Sequence, residues 1–260
     1  MAKLDKNYRK ILGINFFVGE APEAVRRGLR GGLVVAPAAP ALVSLQDDAD
    51  YRQAVSRADM AITDSSLMVM AWNLMRRDNI IRVSGLEYLV LLLHSVRNKP
   101  RKDRPFFVMP SKASTVRTLK WLKEQGIVCE EQQTYVAPIY PAGEIKDYEL
   151  LNVLRKKRPS QIIIGLGGGT QERLGLFLRT YLPYKPGIHC IGAAIGFLTG
   201  DQVKIPLWAD HLYLGWLLRC FSKPQSYVPR YWKARKLVWR MLFERDNPVQ
   251  PDSQPPVCSI

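Results

Sequence analysis

The feature that most constrains this chain is a regular exchange between two hydrophobic periods. Short apolar or β-branched runs at residues 33–36, 60–63, 106–109, 127–129, 161–166 and 188–192 read as buried strands. Between them, residues 51–57, 65–77, 86–97, 111–125, 144–157 and 171–182 carry helical spacing. Ser111 and Thr170 are suited to cap helices, and Gly126 is suited to stop one. A strand that is apolar along its whole length must be covered on both faces, and an intervening helix supplies that cover. The pattern therefore predicts an α/β fold, a Rossmann-like, mostly parallel sheet flanked by helices. A length of 260 residues is ample for one such core.

The alternation stops near Asp201. Residues 206–221 and 229–244 read as two helices separated by Ser222-Lys223-Pro224-Gln225. In the second, Lys233, Lys236 and Arg240 gather on one side, and Tyr231, Ala234, Val238, Met241 and Leu242 gather on another. That pattern fits a helix lying on an anionic membrane surface. It fits equally a helix packing its stripe on the domain. The expected organisation is an α/β domain over residues 1–201, a basic, aromatic helical appendage over 202–246, and a disordered, proline-bearing tail over 247–260.

The net charge of +15 is concentrated in three places. Arg97, Lys99, Arg101, Lys102 and Arg104 form one cluster around Asp103, and Arg155-Lys156-Lys157-Arg158 form another. The third is the appendage, where aromatics such as Trp208, Trp216, Tyr227, Tyr231, Trp232 and Trp239 interleave with the cations. The first two clusters each precede a strand and read as solvated loops. Nucleic acid is not an expected partner, because the aromatics accompany an amphipathic segment and no RNA-binding motif is present.

No apolar run approaches the roughly 18–20 residues that span a bilayer. Residues 1–6 have no apolar core of a signal peptide, so a cytosolic chain, soluble or peripheral on a membrane, is expected. Cys129, Cys190, Cys220 and Cys258 are widely spaced and read as reduced thiols. His94, His189 and His211 lack metal-ligand spacing, and no cofactor or metal is expected.

Four places carry candidate chemistry. Gly165-Leu166-Gly167-Gly168-Gly169-Thr170-Gln171-Glu172 follows a strand and opens a helix, where turn amides and a helix N-terminus can seat a phosphate. It lacks the third spaced glycine of a dinucleotide fingerprint, and a purely structural turn fits as well. Asp64 stands where the strand at 60–63 meets a helix; it is a candidate general base or a helix cap. Arg82, before Val83-Ser84-Gly85, is suited to grip a diphosphate or to pair with a local acid. Asp48-Ala49-Asp50 matches an Asp-x-Asp metal motif but stands at the front of a helix, where acids favour the dipole.

Taken in order, these pieces resemble the WecG/TagA/CpsF family of bacterial glycosyltransferases, glycosyltransferase family 26, over residues 33–231. The resemblance lies in Gly165-Leu166-Gly167 running on to Gln171-Glu172, in Arg82-Val83-Ser84-Gly85, in Gly200, Pro206 and Trp208, and in Trp216, Arg219, Pro224, Arg230 and Tyr231. It implies metal-independent, inverting transfer from a UDP-sugar donor to a polyprenyl-diphosphate-linked sugar acceptor, in cell-surface polysaccharide or teichoic-acid-type assembly. It implies Asp64 as the base. Arg82, Gly167, Gly168, Gln171, Glu172, Arg219 and Arg230 become the substrate-binding residues, and the appendage meets an anionic membrane. The chain departs from the family pattern at Ala36-Pro37-Ala38, Asp64-Ser65, Gly169-Thr170, Gly196 and Gly215. These departures leave an alternative: a non-catalytic relative that binds sugar nucleotide or scaffolds a membrane assembly.

Overall fold

The computed structural model describes residues 6–100, 104–192, 194–200 and 224–243. Along the chain come β1 (Tyr8–Ile11), β2 (Ile14–Phe17), α1 (Ala21–Gly28), β3 (Gly32–Val35), α2 (Ala39–Val43), α3 (Ala49–Ser56), β4 (Met60–Ile62), α4 (Ser66–Arg76) and α5 (Gly85–Val96). They are followed by β5 (Phe106–Met109), α6 (Lys112–Glu124), β6 (Thr134–Val136), α7 (Tyr148–Lys157), β7 (Gln161–Ile164), α8 (Thr170–Tyr181), β8 (Gly187–Cys190), α9 (Ala194–Thr199) and α10 (Pro224–Phe243). The strands form one sheet in the order β1-β2-β4-β3-β8-β7-β5-β6, parallel except for the β1–β2 hairpin. The expected α/β class is the one observed.

Every residue of β3, β4, β5, β7 and β8 is buried, because helices cover both faces. Residues of α2, α3, α4, α7, α8 and α10 pack on one face, and residues of α1, α5, α6 and α9 pack on the other. The predicted strand at 127–129 does not form. Gly126 (φ 69°) ends α6, Ile127 N donates back to Leu122 O at 2.8 Å, and Gly126 N donates to Lys123 O at 3.0 Å. This is a Schellman closure whose apolar residue is Ile127, buried against the domain. The edge strand that pairs with β5 comes later, at Thr134–Val136. The β1–β2 hairpin turns through Leu12 and Gly13, both at positive φ, as a two-residue primed turn requires.

The second predicted appendage helix begins earlier than expected. Residues 206–221 lie outside the described residues, as does the tail, while α10 begins at Pro224 and runs through Pro229. Ala234, Leu237 and Met241 are buried in the core shared with Leu42 and Met68, so much of the apolar stripe packs on α2 and α4. Arg240 also turns inward and donates to Val43 O. Trp232 and Trp239, 64 % and 63 % exposed, stand on the outside with Arg235, Lys236 and Leu242.

A buried polar relay crosses the sheet beneath α5. Gln161 Nε2 donates to Leu29 O, so its Oε1 accepts from His189 Nε2 at 2.8 Å. His189 Nδ1 is therefore the acceptor for Tyr88 Oη at 2.9 Å. Burial pushes His189 down to about 3, which keeps the ring neutral, as this chain of donors demands. Tyr88→Phe should strand the Nδ1 acceptor and lower unfolding stability by about 1–3 kcal/mol, measured by urea denaturation at neutral pH.

Candidate active site

Four neighbouring strands, β4, β3, β8 and β7, present their carboxyl ends side by side. Helices leave β4, β3 and β7 on one face and β8 on the other, the topological switch point where open α/β sheets hold a ligand crevice. At interstrand spacings of about 4.8 Å, the ends of β4 and β7 stand about 14 Å apart.

At the β4 end, Thr63 is fully buried. Its hydroxyl donates to Ile81 O at 2.7 Å and accepts from Val83 N at 3.0 Å, which stitches the segment carrying Arg82 alongside the strand. Ser65 caps α4, accepting from Met68 N, so Asp64 is not the cap of that helix. Asp64 Oδ1 instead accepts from Gly85 N at 2.9 Å, the first amide of α5, whose own cap is Ser84. Arg82 Nε donates to Asp64 O at 2.9 Å, and Arg82 Nη2 lies 3.8 Å from Asp64 Oδ1. The carboxylate is thus held by a helix N-terminus and an arginine, with about a quarter of its side chain exposed. A Cβ placed on Gly85 would lie 3.7 Å from Ala36 Cβ, Asp64 Oδ1 and Ile191 O. The ends of β3, β4 and β8 therefore converge on the first turn of α5.

At the β7 end, Gly167 and Gly168 are exposed, with open space where side chains would stand. Gly169 (φ 87°), rather than Thr170, is the N-cap of α8, in a conformation that favours glycine. Gln171 and Glu172 were expected to touch substrate. They lie beneath the turn instead, 3 % and 1 % exposed. Glu172 Oε2 accepts from Gly169 N at 2.7 Å, and Glu172 Oε1 accepts from Gln171 Nε2 at 2.9 Å. Gln171 Oε1 in turn accepts from Gly192 N at 2.6 Å, in the turn after β8. Burial pushes Glu172 up to about 7, against the pull of the hydrogen bonds from Gln171 and Gly169 and of the Arg173 charge.

Arg173, which the sequence reading passed over, ties the same turn to its surroundings. It donates to Gly169 O at 2.9 Å and to Gly143 O at 3.1 Å, and its Nη1 lies 4.0 Å from Asp48 Oδ2. Asp48 is the N-cap of α3, accepting from Tyr51 N, so the Asp-x-Asp resemblance is to a helix start. Among the described residues, no group of three or more His, Cys, Asp or Glu has the geometry of a metal site. Arg219 lies outside the described residues; Arg230 lies within α10, but its side chain is outside them. The signal that finds Glu172 is its place three residues after a helix cap, where a carboxylate reaches back to the cap amide.

Compared with known proteins, the chain matches the family model described as Glycosyl transferase WecG/TagA/CpsF family over residues 9–250. No curated protein matches it. For the geometry above, Thr63→Val should leave the Val83 N–H and the Ile81 carbonyl without their buried partner. The expected loss is about 1–3 kcal/mol of unfolding stability by thermal or urea denaturation.

Proposed function

We propose, from the premise that this chain belongs to the WecG/TagA/CpsF family of glycosyl transferases, a specific reaction for the crevice at the strand ends. Glycosyltransferases move a sugar from a sugar-nucleotide donor to a glycosyl acceptor, and the chain is an enzyme of that class. The finer reading is inverting, metal-independent transfer from a UDP-sugar to a polyprenyl-diphosphate-linked sugar, in cell-envelope polysaccharide or teichoic-acid-type biosynthesis.

The observation that carries it is the placement of Asp64, a partly exposed carboxylate at the carboxyl end of a central strand, oriented by Gly85 N and Arg82. In this reading Asp64 takes the proton of the acceptor hydroxyl as that oxygen attacks the anomeric carbon. The new C–O bond forms on the face opposite the departing one, and the nucleotide diphosphate leaves with the bonding pair. Charge developing on the diphosphate is met by preorganised donors rather than a metal. The exposed Gly167-Gly168 turn at the N-terminus of α8 and Arg82 are suited to that role, with Arg219 and Arg230 brought from the appendage. Gln171 and Glu172 serve the same seat from behind.

No helix among the described residues is long and apolar enough to cross a membrane. The outer face of α10 supports docking on an anionic bilayer surface. Trp232, Trp239 and Leu242 alternate there with Arg235 and Lys236, and the Arg235 guanidinium lies 4.0 Å from the Trp232 ring centroid. In this reading the enzyme works beside a lipid-linked acceptor, peripheral on the inner face of the plasma membrane. Ala36, apolar at the end of β3 beside Asp64, favours a second reading, binding of sugar nucleotide without turnover.

A panel of UDP-sugars assayed with a lipid-diphosphate-linked sugar separates the two. Asp64→Asn retains an acceptor for Gly85 N, so it should fold normally yet lose at least a hundredfold in transfer rate. Calorimetric UDP-sugar binding with no transfer to any acceptor would establish the second reading. Sedimentation with anionic vesicles should lose the W232S/W239S variant while its melting temperature stays near that of the parent. Equal binding by the two would remove the membrane assignment.

A further inference from the structure

The buried contacts behind the glycine turn form one continuous chain of donors and acceptors. It begins at Gly169 N–H, passes through Glu172 and Gln171, and ends at Gly192 N–H. Both ends are backbone amides that only donate. Two side chains must therefore present an acceptor outward at each end and still pair with each other in the middle.

One ionised carboxylate and one amide meet that demand. The carboxylate offers two acceptors, while the amide offers one acceptor outward and one donor inward. Two amides place donor against donor at the centre, and two carboxylates place acceptor against acceptor. A protonated Glu172 behaves like an amide, so it also leaves one contact mismatched.

We infer that Glu172 is a positioning residue. Its carboxylate, acting through Gln171, locks the turn after β7 to the turn after β8 and so shapes the diphosphate seat of the sugar-nucleotide donor. The inference rests on the reading of the glycine turn as that seat. The lock itself is a property of the chain without ligand.

Groups from three elements face the Glu172 site. Arg173 on α8 lowers the affinity of Glu172 for a proton, and Tyr51 and Cys190 are raised first by burial and then by the Glu172 charge. Asp48, at the start of α3, adds to the negative field felt by Tyr51. Tyr51 is buried, and its hydroxyl has no hydrogen-bond partner among the described residues. Proton uptake by Glu172 falls near neutral pH. Because burial raises Glu172, holding it ionised costs stability as pH rises through about 7, so the chains are compared at pH 8, where the ionised lock is the populated form.

Four chains test this: the parent, E172Q, Q171E and the exchanged pair Q171E/E172Q. The ligand-free readout is amide hydrogen exchange at residues 165–172 and 191–192 at pH 8. The parent should be protected there. E172Q should be unprotected, with two amides facing each other. Q171E sets two carboxylates against each other at this pH and should be unprotected as well. The exchanged pair again holds one carboxylate and one amide, and it should recover protection.

Titration with uridine diphosphate should follow the same order, with E172Q about tenfold weaker than the parent at pH 8 and the exchanged pair within threefold of it. In transfer assays the donor KM should rise with kcat little changed. Equal protection in the parent and E172Q, or failure of the exchanged pair to recover while circular dichroism shows it folded, would overturn the inference. If protection follows the predicted order but no chain binds uridine diphosphate, the lock stands and the donor reading fails. An E172Q chain that does not fold leaves the contrast between Q171E and the exchanged pair to decide.

Discussion

A parallel sheet satisfies its backbone only if every strand is reached from the same end, and that requirement organises this molecule. From β2 to β8 the described strands share one direction, so every connection must climb a face of the sheet as a helix or loop. The consequence is chemical as well as architectural. All carboxyl ends of those strands, and the N-termini of the helices that follow them, are delivered to one edge. There, the orphan amides of α4, α5 and α8 need acceptors. Ser65 and Ser84 meet part of that need, and Asp64 and Glu172 meet more of it. The two acids differ in how far they are buried: Asp64 is partly exposed, whereas Glu172 is enclosed beneath the glycine turn.

The edge is therefore held together by the same groups that give it chemical character. Thr63 binds the Arg82 segment to β4, Arg82 binds Asp64, and Asp64 binds the first turn of α5. On the other side of the crevice, Arg173 ties the glycine turn to the loop before α7 and to the start of α3. Exposed glycines at the tip and buried polar groups behind it allow a backbone to approach an anion closely without collapsing into the space.

Much of this was legible in the sequence, and the exceptions have physical causes. Fully apolar runs such as Phe106–Met109 announce themselves because both faces need cover. The run at 127–129 has the same composition, yet it serves as the closing residue of a helix, since Gly126 can adopt the left-handed conformation that sends Ile127 back onto α6. The edge strand β6, half-exposed and carrying Thr and Tyr, offers no such apolar signal. The amphipathic pattern of α10 is real, but periodicity cannot say which surface covers a stripe. Much of the apolar stripe turns toward α2 and α4, and a second, aromatic and basic set faces outward.

By itself, the sequence determined the α/β class, the position of Asp64 at a strand end, the glycine turn opening a helix, and the family to which these ordered motifs point. Those properties are local: they depend on periodicity, on turn residues and on the spacing of a few groups along the chain. Tertiary structure alone decided that Asp64 accepts from the first amide of α5 rather than capping α4, and that Gln171 and Glu172 are buried clasps rather than open contacts. It also decided that the turns after β7 and β8 share one hydrogen-bond chain. The physical reason is that hydrogen-bond partners separated by about twenty residues, such as Asp64 with Gly85 or Gln171 with Gly192, meet only when strands are ordered within the sheet.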